Sequence, residues 1–166
     1  MPKIVSSSAG CSCTNTFNKK MQNLNIKYRF SPEWTHSKKK YFNEPENISY
    51  IIREVSQICP IFTDDESKPI GNVIINGELY ESPDKKIFYL YKANHTYVLP
   101  DGTINVLYEY NNNTPGNDNS VFSPGTILKT TFSTGGSGQY AFSSGRVTLV
   151  ADDDTFIRKV NFDFTK

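Results

Sequence analysis

The chain has few of the residues on which most enzymatic and metal chemistry depends. Its 166 residues include two histidines, three cysteines, two methionines and one tryptophan. Cys11, Cys13 and Cys59 are an odd number, so a closed disulfide framework is not the plan of this fold, and a reducing compartment is the simpler expectation. Cys11 and Cys13 form a C-x-C pair, but tetrahedral zinc needs four ligands and only Cys59, His36 and His95 remain as candidates; the three cysteines are read as ordinary thiols and no metal is expected. No apolar run reaches the eighteen residues of a membrane-spanning helix, and the first thirty residues lack the apolar stretch of a secretory leader. The expectation is a soluble cytoplasmic or intracellular chain, in which the sequons at Asn47, Asn94 and Asn112 carry no sugar.

Phosphate and nucleophile motifs are missing as well. Gly135-Gly136-Ser137-Gly138 leads into no helix and no Lys-Ser/Thr follows, so its glycines serve a chain reversal rather than a nucleotide. Neither histidine sits in a nucleophile elbow, and Cys59-Pro60 has no catalytic surround. No cofactor fingerprint occurs. Nucleic acid is not an expected partner, because no helix-turn-helix, zinc finger or RNA-binding aromatic motif accompanies the basic residues.

The net charge of +1 hides an asymmetry. Residues 1–45 hold eight Lys/Arg against two acids, a balance of +6; the remainder holds ten against fifteen, a balance of −5. This suggests two parts: a basic arm over residues 1–45, partly disordered or docked on a protein or anionic partner, and a compact domain over residues 46–166. With 37% hydrophobic residues, one domain of this length can bury a core without staples.

The domain reads as all-β. Ile26, Tyr28 and Phe30 alternate with polar residues and share one strand face before Ser31-Pro32. Trp34 follows, as a core plug or interface anchor. Residues 48–62 mix periods, but their β-branched content favours a strand broken near Pro60. Gly71 to Ile75 is a short strand ahead of Asn76-Gly77, a strong turn signal, although a bulge carrying the strand onward also fits. Ile87 to Tyr91 is apolar on both faces. Pro100-Asp101-Gly102 turns the chain into an alternating strand with Ile104, Val106, Tyr108 and Tyr110 on one face, and Asn111 to Asn119 forms a long exposed loop. Strands over 126–132, 146–150 and 157–164 complete the set. Asp152-Asp153-Asp154 is read as a solvated turn, because calcium loops space their ligands over about a dozen residues.

Several segments together carry a resemblance: Gly71-Asn72-Val73-Ile74-Ile75, Glu78-Leu79-Tyr80-Glu81, Leu99-Pro100-Asp101-Gly102-Thr103-Ile104, and Thr134-Gly135-Gly136-Ser137-Gly138-Gln139-Tyr140 with Gly145-Arg146-Val147. Over residues 70–164 the chain resembles the allene oxide cyclase and dirigent-like barrel superfamily, with the glycine hairpin as the most specific element. The resemblance implies a closed antiparallel β-barrel of about eight strands, a homo-oligomer (trimer or dimer), and an internal pocket in which a carboxylate stabilises positive charge or handles a proton. Glu78 is the matching catalytic candidate, with Tyr80 on the same strand face. Tyr89, Tyr91, Tyr108 and Phe132, as inward aromatics, join Tyr80 as candidate ligand-binding residues. The chain departs from the family pattern over residues 88–92, where family members favour glycine.

Two functions stand as expectations. The first is a non-catalytic barrel for binding or assembly, engaging partners through the basic arm. The abundance of Asn, Lys, Ile and Tyr suits an AT-rich genome, as in large DNA viruses, which makes a virion component one form of it. The alternative is a pocket protein that binds a hydrophobic small molecule and steers its cyclisation or coupling.

Overall fold

A computed structural model describes residues 23–30, 36–38, 51–65, 67–81, 89–111, 124–152 and 157–165. They form nine strands and, among the described residues, no helix: β1 (Leu24–Arg29), β2 (His36–Lys38), β3 (Ile51–Phe62), β4 (Pro69–Glu81), β5 (Tyr89–Leu99), β6 (Gly102–Asn111), β7 (Ile127–Gly138), β8 (Ser144–Ala151) and β9 (Ile157–Thr165). Every pairing is antiparallel, and strands β3 to β9 are each joined to the next in sequence. β1 pairs with β9 on one side and with β3 on the other, closing β1 and β3–β9 into an eight-stranded barrel. β2 adds to β3 outside that ring, through His36–Glu54, Ser37–Arg53 and Lys38–Ile52. Closure removes the free sheet edges that an open sheet of this size would present.

Alternation along each strand sends one set of side chains inward, and these sets meet in a single core. Ile26 and Tyr28 of β1, Val55, Cys59 and Ile61 of β3, Val73 and Ile75 of β4, Ile104, Val106 and Tyr108 of β6, and Val160, Phe162 and Phe164 of β9 are all buried there. The shared faces expected for Ile26 with Tyr28, and for Ile104, Val106 and Tyr108, are therefore real. Leu99 pairs with Gly102 across a two-residue reversal, Pro100-Asp101, as the turn chemistry requires.

Five expectations need correction. A boundary at residue 45 would cut the barrel, because β1 is one of its staves. Pro60 does not break β3: the strand runs to Phe62, and the short ladder from β1 reaches only Ile61, so Pro60 lies just past it, where a missing N–H is tolerated. Asn76-Gly77 is not a turn but the middle of β4, paired with Ser56 and Val55 on one side and with Asn94 and Ala93 on the other. A Cβ at Gly77 would come within 2.4 Å of Ala93 Cα and Cβ, so glycine is there for a close strand approach. The glycine run 135–138 lies within β7 rather than in a loop. The reversal follows at residues 139–143, entered through Gly138 at φ 60°, where the Gln139 amide donates to Asp101 O.

Fifth, Asp152 is no solvated turn residue: it is buried, with Lys159 Nζ at 2.9 Å and Lys27 Nζ at 3.7 Å. Lys27 also lies 3.7 Å from Asp64 in the turn after β3, so one cation ties β1 to both flanking parts of the barrel. Trp34, Ile87, Phe88, residues 112–119, Asp153, Asp154 and residues 1–22 lie outside the described residues.

Candidate functional site

The candidate site grows from one alternating segment, Tyr91-Lys92-Ala93-Asn94-His95-Thr96-Tyr97 of β5. Its odd-numbered members point into the barrel, and Tyr91, Ala93, His95 and Tyr97 are all buried. Register stacks these in layers. Val55, Gly77, Ala93 and Tyr108 form one layer; Gln57, Ile75, His95 and Val106 the next; Cys59, Val73, Tyr97 and Ile104 the third. Small residues at Gly77 and Ala93 leave space in the first layer for the large rings of its neighbours, an alternation of small and large that narrow barrels use.

His95, 1% exposed, is the centre of the arrangement. Tyr91 Oη lies 2.9 Å from Nε2, while Tyr28 Oη and Tyr97 Oη lie 3.3 and 3.4 Å from Nδ1. Tyr97 Oη is 2.9 Å from Tyr108 Oη, extending the chain of hydroxyls. The Tyr108 ring meets the imidazole edge-on at 4.5 Å, and Tyr97 packs edge-on against Phe162 at 5.1 Å. A neutral imidazole has one N–H and one acceptor nitrogen. The short Tyr91 contact suits an O–H donating to Nε2, which places the ring proton on Nδ1, facing the other two hydroxyls.

Electrostatics keep this cluster neutral. Burial, with a smaller contribution from the Arg158 guanidinium, pushes the His95 pKa down to about 3. Burial first, and then the neighbouring Tyr108 and Tyr28, raises Tyr97 well above the usual phenol range. Arg158 is itself 8% exposed on the inner face of β9; its guanidinium carbon stands 6.0 Å from the Phe30 ring centre and Nη1 donates to Ile157 O at 3.3 Å. The buried interior thus holds phenols, an imidazole and a cation. Such a set can bind a polar group of a mainly apolar molecule, and can pass a proton along hydroxyls without creating a lasting charge. No group of three or more His, Cys, Asp or Glu able to hold a metal occurs among the described residues.

The expected site residues divide between inside and outside. Tyr91 and Tyr108 belong to the cluster. Tyr89 is the first residue of β5, paired with Glu81, and its side chain lies outside what is described. Glu78 and Tyr80 do not enter the barrel: Val73 and Ile75 face inward, so the even-numbered residues of β4 face out. There Tyr80 donates to Glu78 Oε2 at 2.5 Å, which together with partial burial pushes the Tyr80 pKa up to about 12. Phe132 is also outward, 65% exposed, because β7 pairs it with Arg146 on the outer face of β8. His95, Tyr97, Tyr28 and Arg158 were not among the expected site residues. The signal for the first two was available, since His95 and Tyr97 stand two and four residues beyond Ala93, on the same face as Tyr91.

No protein family matches this sequence, and no curated protein matches it. Among solved structures, pyocyanin demethylase aligns over 87% of this chain and 100% of that one, with 19% identity and a TM-score of 0.46, a likeness too distant to transfer an activity.

Proposed function

We propose that this barrel is a pocket protein, which takes a small, mainly apolar molecule into its interior and holds that molecule's hydrogen-bonding group against His95 and the tyrosines around it. The observation that carries this reading is the convergence of four tyrosine hydroxyls and one imidazole within a buried core. Filling a barrel needs only apolar side chains, and each buried polar tip adds a desolvation cost of about 1–3 kcal/mol unless a partner meets it. A shared network of such tips, converging on one imidazole, is the arrangement expected of a site with orienting groups. The resemblance to allene oxide cyclase and dirigent-like barrels supports the same reading. With Glu78 on the outer wall, the reading assigns binding rather than turnover.

Titration with anilinonaphthalene sulfonate, an apolar fluorophore with one anionic group, tests it. Fluorescence enhancement saturating at one dye per chain is expected, lost in Ala93→Leu while the far-ultraviolet circular dichroism stays the same. A protein that leaves the dye dark, or an Ala93→Leu variant that binds it equally well, ends the pocket reading and returns the barrel to the assembly role.

A further inference from the structure

Strand register places an unusual surface on the outer wall of β3–β6. Three consecutive cross-strand rows face outward there. The first is Ser56, Asn76, Asn94 and Leu107; the second is Ile58, Ile74, Thr96 and Asn105; the third is Pro60, Asn72, Val98 and Thr103. None of these twelve positions carries a charge, in a chain of which 21% of residues are charged. Ile58 is 71% exposed, and Val98 and Leu107 are 37% exposed each. The row immediately beyond, Glu54, Glu78, Lys92 and Glu109, is entirely charged, with Lys92 Nζ 4.0 Å from Glu109 Oε2. The wall formed by β8, β9 and β1 is different again: Arg146 pairs with Asp163 at 3.3 Å, and Lys27 and Lys159 engage Asp152. An uncharged centre edged by charge is the anatomy of a protein interface, whose core is depleted of charged residues while its rim keeps them.

We propose that this face is a two-fold contact between two copies of this chain. Three arguments select a second copy as the occupant. A two-fold contact brings the same patch together with itself, so any charge near its centre would oppose a like charge; a charge-free patch is the one part of this wall that meets itself without that cost. Size is the second. Four strands about 4.8 Å apart and three rows about 6.8 Å apart span roughly 400 Å2 in projection. Side-chain relief brings the accessible area toward the ~800 Å2 that each partner contributes to a standard interface. Third, an open groove of ≈ 480 Å3 lies between the first row and the charged row, with Ser56, Asn94 and Leu107 along one side and Glu54, Glu78 and Lys92 along the other. It offers a seat at the edge of the contact for a side chain that protrudes from the other copy. This contact uses only the outer wall and is independent of what the interior binds.

Sedimentation equilibrium of the full chain over a range of concentrations, with Ile58→Lys and Ile58→Glu variants, tests the proposal. A dimer is expected for the unaltered protein and a monomer for each variant alone, with unchanged circular dichroism because Ile58 is outside the core. Asn161→Lys, on the β9 wall, should leave the dimer intact. A monomer at all concentrations, an oligomer that Ile58→Lys leaves untouched, or a face occupied by a different protein would each overturn the assignment.

Discussion

Two polar clusters are buried in this barrel, and they solve the same problem in opposite ways. Around His95 the nearest polar groups are neutral: imidazole and phenols satisfy one another, and the Arg158 cation acts on them from further away. Around Asp152 everything is charged: a carboxylate with Lys27 and Lys159, whose outer members reach solvent through a 39% exposed Lys159 side chain and a 75% exposed Asp64. The difference follows from depth. Ionising a group at the centre costs more than neighbouring dipoles return, so the proton equilibrium shifts until the group is neutral. At the rim, water and a second cation lower that cost, and a charge-assisted hydrogen bond of 2.9 Å holds β9 to the end of β8.

Acid separates the two most sharply. Folding lowers the His95 pKa from 6.5 to about 3, so between these values the unfolded chain binds a proton that the folded one refuses. Stability from this group is complete above pH 6.5 and falls as pH drops toward 3, by up to about 5 kcal/mol. Urea denaturation at a series of pH values should show that slope, and His95→Phe should flatten it between pH 6.5 and 4.5, where carboxylates change little. If the two proteins have parallel profiles, the imidazole is not neutral and buried as described. At neutral pH, His95→Ala removes the ring and its contact with the Tyr91 hydroxyl, with an expected loss of about 3–5 kcal/mol in the same assay.

The charged cluster should respond to salt instead. Asp152→Asn leaves two lysines facing a neutral amide, at an expected cost of about 2 kcal/mol at low ionic strength that shrinks in 1 M salt. The His95 variants should show no such salt dependence; equal sensitivity in both would erase the distinction. Tyr97→Phe, which deletes one member of the Tyr97–Tyr108 pair, is expected to cost about 1 kcal/mol. The smallest effect concerns the outer wall: in Glu78→Gln the Tyr80 titration, followed by ultraviolet absorbance, should move from about 12 back toward 10 with the fold unaltered.

These clusters also mark what could be read from the sequence. Alternation exposed the inner faces of β1 and β6, and the Pro100-Asp101 reversal followed from turn chemistry alone, because both are local. Gly77 misled for a non-local reason: Asn-Gly is a turn signal on its own, whereas here glycine answers the approach of Ala93 from another strand. Phe132 misled because its direction depends on how β7 pairs with β8, and a register shift between Ile127 and Lys129 resets that alternation. Glu78 stands on a strand whose inner face was legible from Val73 and Ile75, and the same parity would have placed it outside. Asp152 looked solvated because its two lysines come from β1 and β9, which no local pattern joins.

The ladder between β1 and β3 has only two paired positions, Lys27–Phe62 and Tyr28–Ile61, whereas β1 and β9 share six, beginning with Leu24–Phe162. The strand that seals the cylinder therefore finds its main partner at the far end of the sequence. During synthesis β1 gains this partner only once β9 has left the ribosome; on the same side of β3 stand only the three pairs of β2 and the two of β1. Pairing so distant in sequence makes ring closure the late, slow event of folding, and makes the β1–β3 seam the place where amide hydrogens exchange first.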